Sequence, residues 1–136
     1  MSYVCKCTGR NVGSVFHDQM EFLQAGDVEV NSYEAEVLAS NLVFEEFEEF
    51  SNEPHYKSQH YYFDRNTNAI KEALDLMYVT AQYLNVTIGP DKAKECWDAL
   101  HANNMSKCTN GKLLKREDGK VLKPEGYKKL DLTSVL

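Results

Sequence analysis

Two short stretches concentrate carboxylates in a way that could support chemistry. Residues 41–50 read NLVFEEFEEF, with Glu45, Glu46, Glu48 and Glu49 set between phenylalanines, and residues 70–79 read IKEALDLMYV, with Glu72 and Asp75 three apart. Residues three apart on a helix are neighbours, so Glu46 with Glu49, and Glu72 with Asp75, each present a carboxylate pair one turn long. Ionised carboxylates taken out of water cost several kcal/mol each unless they are paired, or else they hold their protons. Lys71 is the sole cationic residue inside either stretch. The balancing charge must come from elsewhere, and hard oxygen ligands at this density suit Mg²⁺ or Mn²⁺.

Those pairs matter only if helices hold them in phase. With Leu38 as zero on a wheel of about 100° per residue, Ala35, Leu42, Val43, Phe47 and Phe50 cover an arc from about 40° to 180°. Glu46 falls near 80° and Glu49 near 20°, on the apolar side, with Glu45 at the rim and Glu48 facing water. On the next acidic helix Glu72 lies between Val79 and Leu76, with Asp75 at the edge beside Val79. Two acidic motifs phased inward are harder to explain as solvated helix faces than one would be.

The elements follow from periodicity and punctuation. Val12, Val15, Phe16, Met20 and Leu23 recur at helical spacing and predict a first helix over residues 12–23, stopped by residues 25–27, AGD. Ser32 is the N-cap of a second helix to about residue 50, with Pro54 beyond it. Asn66 or Thr67 caps a third helix to about residue 85, on which Ala69, Ile70, Ala73, Leu74, Met77, Ala81 and Leu84 form a broad apolar face. Gly89 and Pro90 lead into a fourth helix over residues 91–105, with Ala93, Cys96, Trp97 and Leu100 along one stripe. Beyond Lys107 a turn at Glu117, Asp118 and Gly119 predicts a hairpin, followed by an extended tail. The sum is an all-α chain: an antiparallel four-helix bundle with a C-terminal β-hairpin and extended arm.

At 136 residues the chain fits a single domain, with a helical core over residues 12–106 and an arm over 107–136. The net charge of −6 argues against nucleic-acid or anionic-membrane partners. Charge is nonetheless polarised: residues 1–106 carry 7 Lys/Arg against 17 Asp/Glu, and residues 107–136 carry 8 against 4. Cys5, Cys7, Cys96 and Cys108 form no CxxC pair and are expected as free thiols of a cytoplasmic protein. His17, His55, His60 and His101 lack zinc-ligand spacing, and no apolar run reaches the ~18 residues of a membrane span.

EEFEEF followed by EALD resembles the ExxE…ExxD signature of the MazG-like all-α nucleoside triphosphate pyrophosphohydrolases. The resemblance runs over roughly residues 33–130, through DLMYVTAQYLNVTIG and HANNMSK to REDGKVLKPEGY, and is similar to phage and bacterial single-domain members, including the MazZ-type enzymes that act on (d)GTP. It implies a MazG-like bundle in which two or three Mg²⁺ ions, replaceable by Mn²⁺, bridge a triphosphate and activate water to release a nucleoside monophosphate and pyrophosphate. Carried over by position, Glu46, Glu49, Glu72 and Asp75 are metal ligands, Glu45 is a further ligand or the proton acceptor, and Glu45 with Glu46 are the catalytic pair. Asn104, Lys107, Lys120 and Lys123 are expected on the phosphate oxygens. Phe16, Gln19 and Met20 are candidates for a base pocket, although such residues at helical spacing also make core. The connector with His55, Tyr56, His60, Tyr61 and Tyr62 matches no motif of the family.

The wide apolar face of the third helix predicts a homo-oligomer, a dimer or tetramer. The expected substrate is (d)GTP, with dCTP or dUTP next, and the expected location is cytoplasmic, the host cytoplasm if the chain is phage-encoded. A rival from another class is a non-catalytic acidic helical protein that mimics DNA, which would spread its acids over outer faces.

Overall fold

Where the helices begin and end is set by local chemistry that the sequence carries. In the computed structural model, Ser32 sits in an extended conformation and its hydroxyl accepts the backbone N–H of Ala35 at 3.1 Å, opening a helix over Tyr33–Asn52. Thr67–Ile88 forms the longest helix, and Gly89 follows it at φ +80°, a conformation that glycine adopts without Cβ strain. With the helices Val15–Ala25 and Pro90–Met105 these are α1 to α4 in chain order: α1 Val15–Ala25, α2 Tyr33–Asn52, α3 Thr67–Ile88 and α4 Pro90–Met105. The structure describes the backbone of residues 3–4 and 11–12, and residues 14–54 and 67–136 in full. Asn66, as an alternative cap of α3, and most of the aromatic connector lie outside the described residues.

The chain divides into two units, residues 1–91 and residues 92–136. In the first, α3 packs against both α1 and α2. The N-terminus of α2 meets the C-terminus of α3: Asn31 donates its N–H to the carbonyl of Val86 at 2.8 Å, and Ala35 and Ala39 cluster with Val86 and with Leu23 of α1. Met20 and Val30 pack against this core from its edge. Small residues at the contact let the helix axes approach closely. A second, polar contact joins α1 to α3, where Asn85 Nδ2 donates to Gln19 Oε1 and to the Phe16 carbonyl, both at 2.8 Å, and Gln19 Nε2 donates to Gln82 Oε1 at 3.3 Å.

In the second unit, most of α4 is followed by strands β3 (Cys108–Thr109) and β4 (Lys112–Leu113), paired antiparallel. Between them Asn110 and Gly111 both have positive φ, +52° and +77°, as the tight turn of a two-residue hairpin requires. The Asn-Gly pair is the turn that the sequence reading passed over. The turn it did name, Glu117 to Gly119, is present as a further loop closed by a Lys115–Val121 bridge. The mostly helical fold with a small C-terminal antiparallel pair is thus as expected.

Three expectations need correction. The first helix begins at Val15, because residues 11–12 pair antiparallel with residues 3–4 as β2 (Asn11–Val12) and β1 (Tyr3–Val4), and Ser14 is extended. The third helix runs three residues past the expected end, to Ile88. The α4 stripe is buried at Ala93 but open at Trp97, which is 56% exposed. Cys96 and Cys108 are free thiols, and Cys5 and Cys7 lie outside the described residues. Among the described residues no helix is long and apolar enough to cross a membrane.

Candidate metal centre

Because α2 and α3 run in opposite directions, the end of α2 that carries Glu46 meets the start of α3. There Glu46, Glu72 and Asp75 each offer a carboxylate oxygen, and these oxygens lie within 4.8 Å of one another. The Glu72 side chain is 15% exposed and that of Asp75 36%. One oxygen of Glu46 and one of Glu72, Oε2 in both, is buried without a hydrogen-bond partner. Buried polar atoms are nearly always satisfied, so two orphaned carboxylate oxygens in one spot call for a missing partner. A proton or a cation would supply it. The donor set is all hard oxygen, which suits Mg²⁺ or Mn²⁺, ions that commonly take a few carboxylates and complete their shell with water and phosphate.

The electrostatics point the same way. Burial pushes the Glu46 carboxyl above its ordinary range, and the negative charges of Glu49, Asp75 and Glu72 push it further, while Lys71 opposes them. Lys71 supplies partial relief: its Nζ lies 2.6 Å from Asp75 Oδ2 and 3.7 Å from Glu72 Oε1. The hydrogen bond to Asp75 is the main reason its own pKa is raised.

Of the five expected metal ligands, the structure gathers Glu46, Glu72 and Asp75, whereas Glu45 and Glu49 are exposed. Glu49 differs from expectation because the buried arc of α2 is narrower than its large apolar residues imply. Ala35 and Ala39 are the buried positions, while Leu38 and Phe47 are more than half exposed. That arc is centred close to Glu46, and Glu49 falls outside it with Leu38. Its charge still reaches Glu46.

The expected phosphate ligands all belong to the second unit. Lys107 Nζ and Lys123 Nζ stand 5.6 and 5.7 Å from the centre of the Tyr127 ring, so one aromatic gathers two cations. Lys107 also donates to Asn104 Oδ1 at 3.1 Å. Tyr127 is itself fixed by donating its hydroxyl hydrogen to Asn103 Oδ1 at 2.8 Å, and Asn103 Nδ2 donates to the Lys128 carbonyl at 2.8 Å. Lys120 is exposed in the Asp118 turn, where its backbone N–H donates to Asp118 Oδ1 at 3.0 Å. Tyr127 was not singled out from the sequence, although it stands in the same KPEGY run as Lys123. An open cleft of about 460 Å³ beside Asn103, Ser106, Glu125, Tyr127 and Lys128 contains none of the triad.

The residues expected at a base pocket do not line an opening. Phe16 is buried, and Gln19 is wholly buried and committed to Asn85 and Gln82. Met20 packs against the core. Also unforeseen was a Ser–His–Asp series: His17 Nδ1 lies 2.7 Å from Ser14 Oγ and its Nε2 lies 2.8 Å from Asp91 Oδ1. A nucleophilic triad needs an accessible serine and a sheltered aspartate. Here the serine is buried and the aspartate side chain is 93% exposed, so the series ties α1 to the start of α4 and activates nothing.

No protein-family model and no curated protein matches the chain.

Proposed function

We propose that the chain is a divalent-metal-dependent nucleoside triphosphate diphosphohydrolase of the MazG-like all-α type, converting a nucleoside triphosphate and water to the monophosphate and pyrophosphate. One observation carries this reading: Glu46, Glu72 and Asp75, from two antiparallel helices, bring oxygens within 4.8 Å of one another, two of the three residues having a buried oxygen without a partner. These three residues hold the metal, and Glu49 adds negative potential from the same helix. A bound Mg²⁺ or Mn²⁺ supplies charge neutralisation and a water of lowered pKa. Glu45, exposed one residue before Glu46, would be the candidate proton acceptor. Lys107 and Lys123, gathered on Tyr127 beside Asn104, are compact cations suited to phosphate oxygens. Within this class (d)GTP is the first substrate and dCTP or dUTP the second. Ile70, Leu74 and Met77, all about half exposed at one-turn spacing on α3, support a homo-oligomer.

The test is direct. The chain is incubated with each of the eight common NTPs and dNTPs and Mg²⁺, and pyrophosphate and monophosphate are measured. Release of both from at least one substrate, abolished by a chelator, is expected. No turnover of any would favour the second reading, an acidic helical protein that occupies a nucleic-acid-binding partner. The outward exposure of Glu45, Glu48 and Glu49 along α2 gives that reading its support.

A further inference from the structure

We propose that Lys71 is the resident counter-ion of the acidic triad, an ammonium that holds Asp75 in the ion-free site and that an incoming divalent cation must displace. This deepens the metal-centre reading and rests on it. Lys71 is the single Lys or Arg in residues 14–54 and 67–91, a span crowded with Asp and Glu. It stands four residues before Asp75, so one helical turn brings its ammonium to that carboxylate. Its Nζ is in close contact with Asp75 Oδ2 at 2.6 Å and reaches Glu72 Oε1 at 3.7 Å.

That contact is incomplete in an informative way. One positive charge faces three carboxylates, and Oε2 of Glu46 and Oε2 of Glu72 remain without partners. A lysine ammonium on a flexible stem approaches from one side, whereas a divalent cation seated among the three oxygens answers all of them. The Lys71 side chain is 67% exposed, so it can leave Asp75 for water without opening the core. An exposed i,i+4 pair is weak enough to yield to a stronger cation. Lys71 is therefore a positioning residue: it keeps Asp75 aimed at the triad before the metal arrives, at the expense of metal affinity.

The experiment is a calorimetric titration of Mn²⁺ into the metal-free full chain, comparing the unaltered protein with Lys71→Met and Lys71→Arg, alongside melting curves in chelator. With the competitor and its charge removed, Lys71→Met should bind Mn²⁺ about tenfold more tightly and melt at a lower temperature without metal. Lys71→Arg keeps the charge and should stay within about threefold of the unaltered affinity. A structural role alone would lower the melting temperature and leave affinity unchanged. As a check independent of variants, saturating the unaltered chain with Mg²⁺ should release the Lys71 ammonium, seen as a shift and averaging of its ¹⁵N-ammonium resonance. If the unaltered chain takes up Mn²⁺ and Lys71→Met binds it equally or less well, the counter-ion role is overturned while the metal centre stands. If neither takes up Mn²⁺, both fall together.

Discussion

The two ends of the seam between α2 and α3 come from the same pair of helices and are filled in opposite ways. At one end Ala35 and Ala39 meet Val86 and Leu23 in a dry cluster. At the other, on the same stripe of each helix, Glu46 meets Glu72 and Asp75. The apolar end is complete as it stands. The acidic end has orphaned oxygens and a carboxyl held above its normal pKa by burial and by neighbouring charge. Buried polarity elsewhere in these helix contacts is of another kind: Gln19, Gln82 and Asn85 bond to one another and to the Phe16 carbonyl across α1 and α3, leaving Asn85 Oδ1 as the one buried amide atom without a partner among the described residues. Neutral amides can pair among themselves; three carboxylates cannot. One end of the seam holds the fold together, and the other is shaped for something the chain does not itself contain.

The sharpest way to break that contrast is at Glu72 and Asp75. Glu72→Gln and Asp75→Asn should each lower pyrophosphate release by at least about 10²-fold, while melting in chelator stays level or rises because like charges no longer oppose one another. Steady-state kinetics with paired melting curves check both halves, and either variant keeping most of its activity removes that residue from the centre. At the apolar end the signs reverse. Leu23→Ala should cost about 2–5 kcal/mol by urea unfolding, with Mn²⁺ affinity of the folded fraction unchanged. Ser32→Ala, which removes the cap of α2 at that same end, should cost about 1 kcal/mol and again spare the metal site.

The smallest expected effect is on pH dependence. Glu46 holds its proton more tightly in the folded chain than in the unfolded one, so the folded state gains stability as pH falls through the raised pKa toward its ordinary value of 4.5. The same contribution is lost as pH rises again. Asp118 and Asp131, held below their ordinary 3.8 by Arg116 and by Thr133 respectively, contribute stability that is complete above 3.8 and lost only below it, so they leave this window clear. Urea unfolding in chelator should therefore show a small gain on acidification from neutral pH. The gain should vanish in Glu46→Gln.

Much of this was legible in the chain itself. Helical spacing alone placed Glu46, Glu72 and Asp75 on inward phases, and Ser32 announced the start of α2. The phase of Glu49 was misread because large apolar residues, Leu38 and Phe47 among them, were allowed to define the buried arc, when close helix contact selects the small ones, Ala35 and Ala39. Gln19 could not be placed from local pattern, since the partner that fixes it, Asn85, is 66 residues away. Tyr127 gathers Lys107 and Lys123 through a loop that has no periodicity to read. The Asn110–Gly111 turn, by contrast, was there to be read.

The unbroken run of α2 from Tyr33 to Asn52 also makes it a timing shaft. Deleting one residue between Ala39 and Glu46 would leave the alanines seated yet swing the glutamate around by about 100°, away from its two companions. Inserting a whole heptad would nearly preserve the angle but carry the carboxylate about 10 Å further along the axis. Variation in the length of that interval is thus forbidden on two separate grounds, angular and axial.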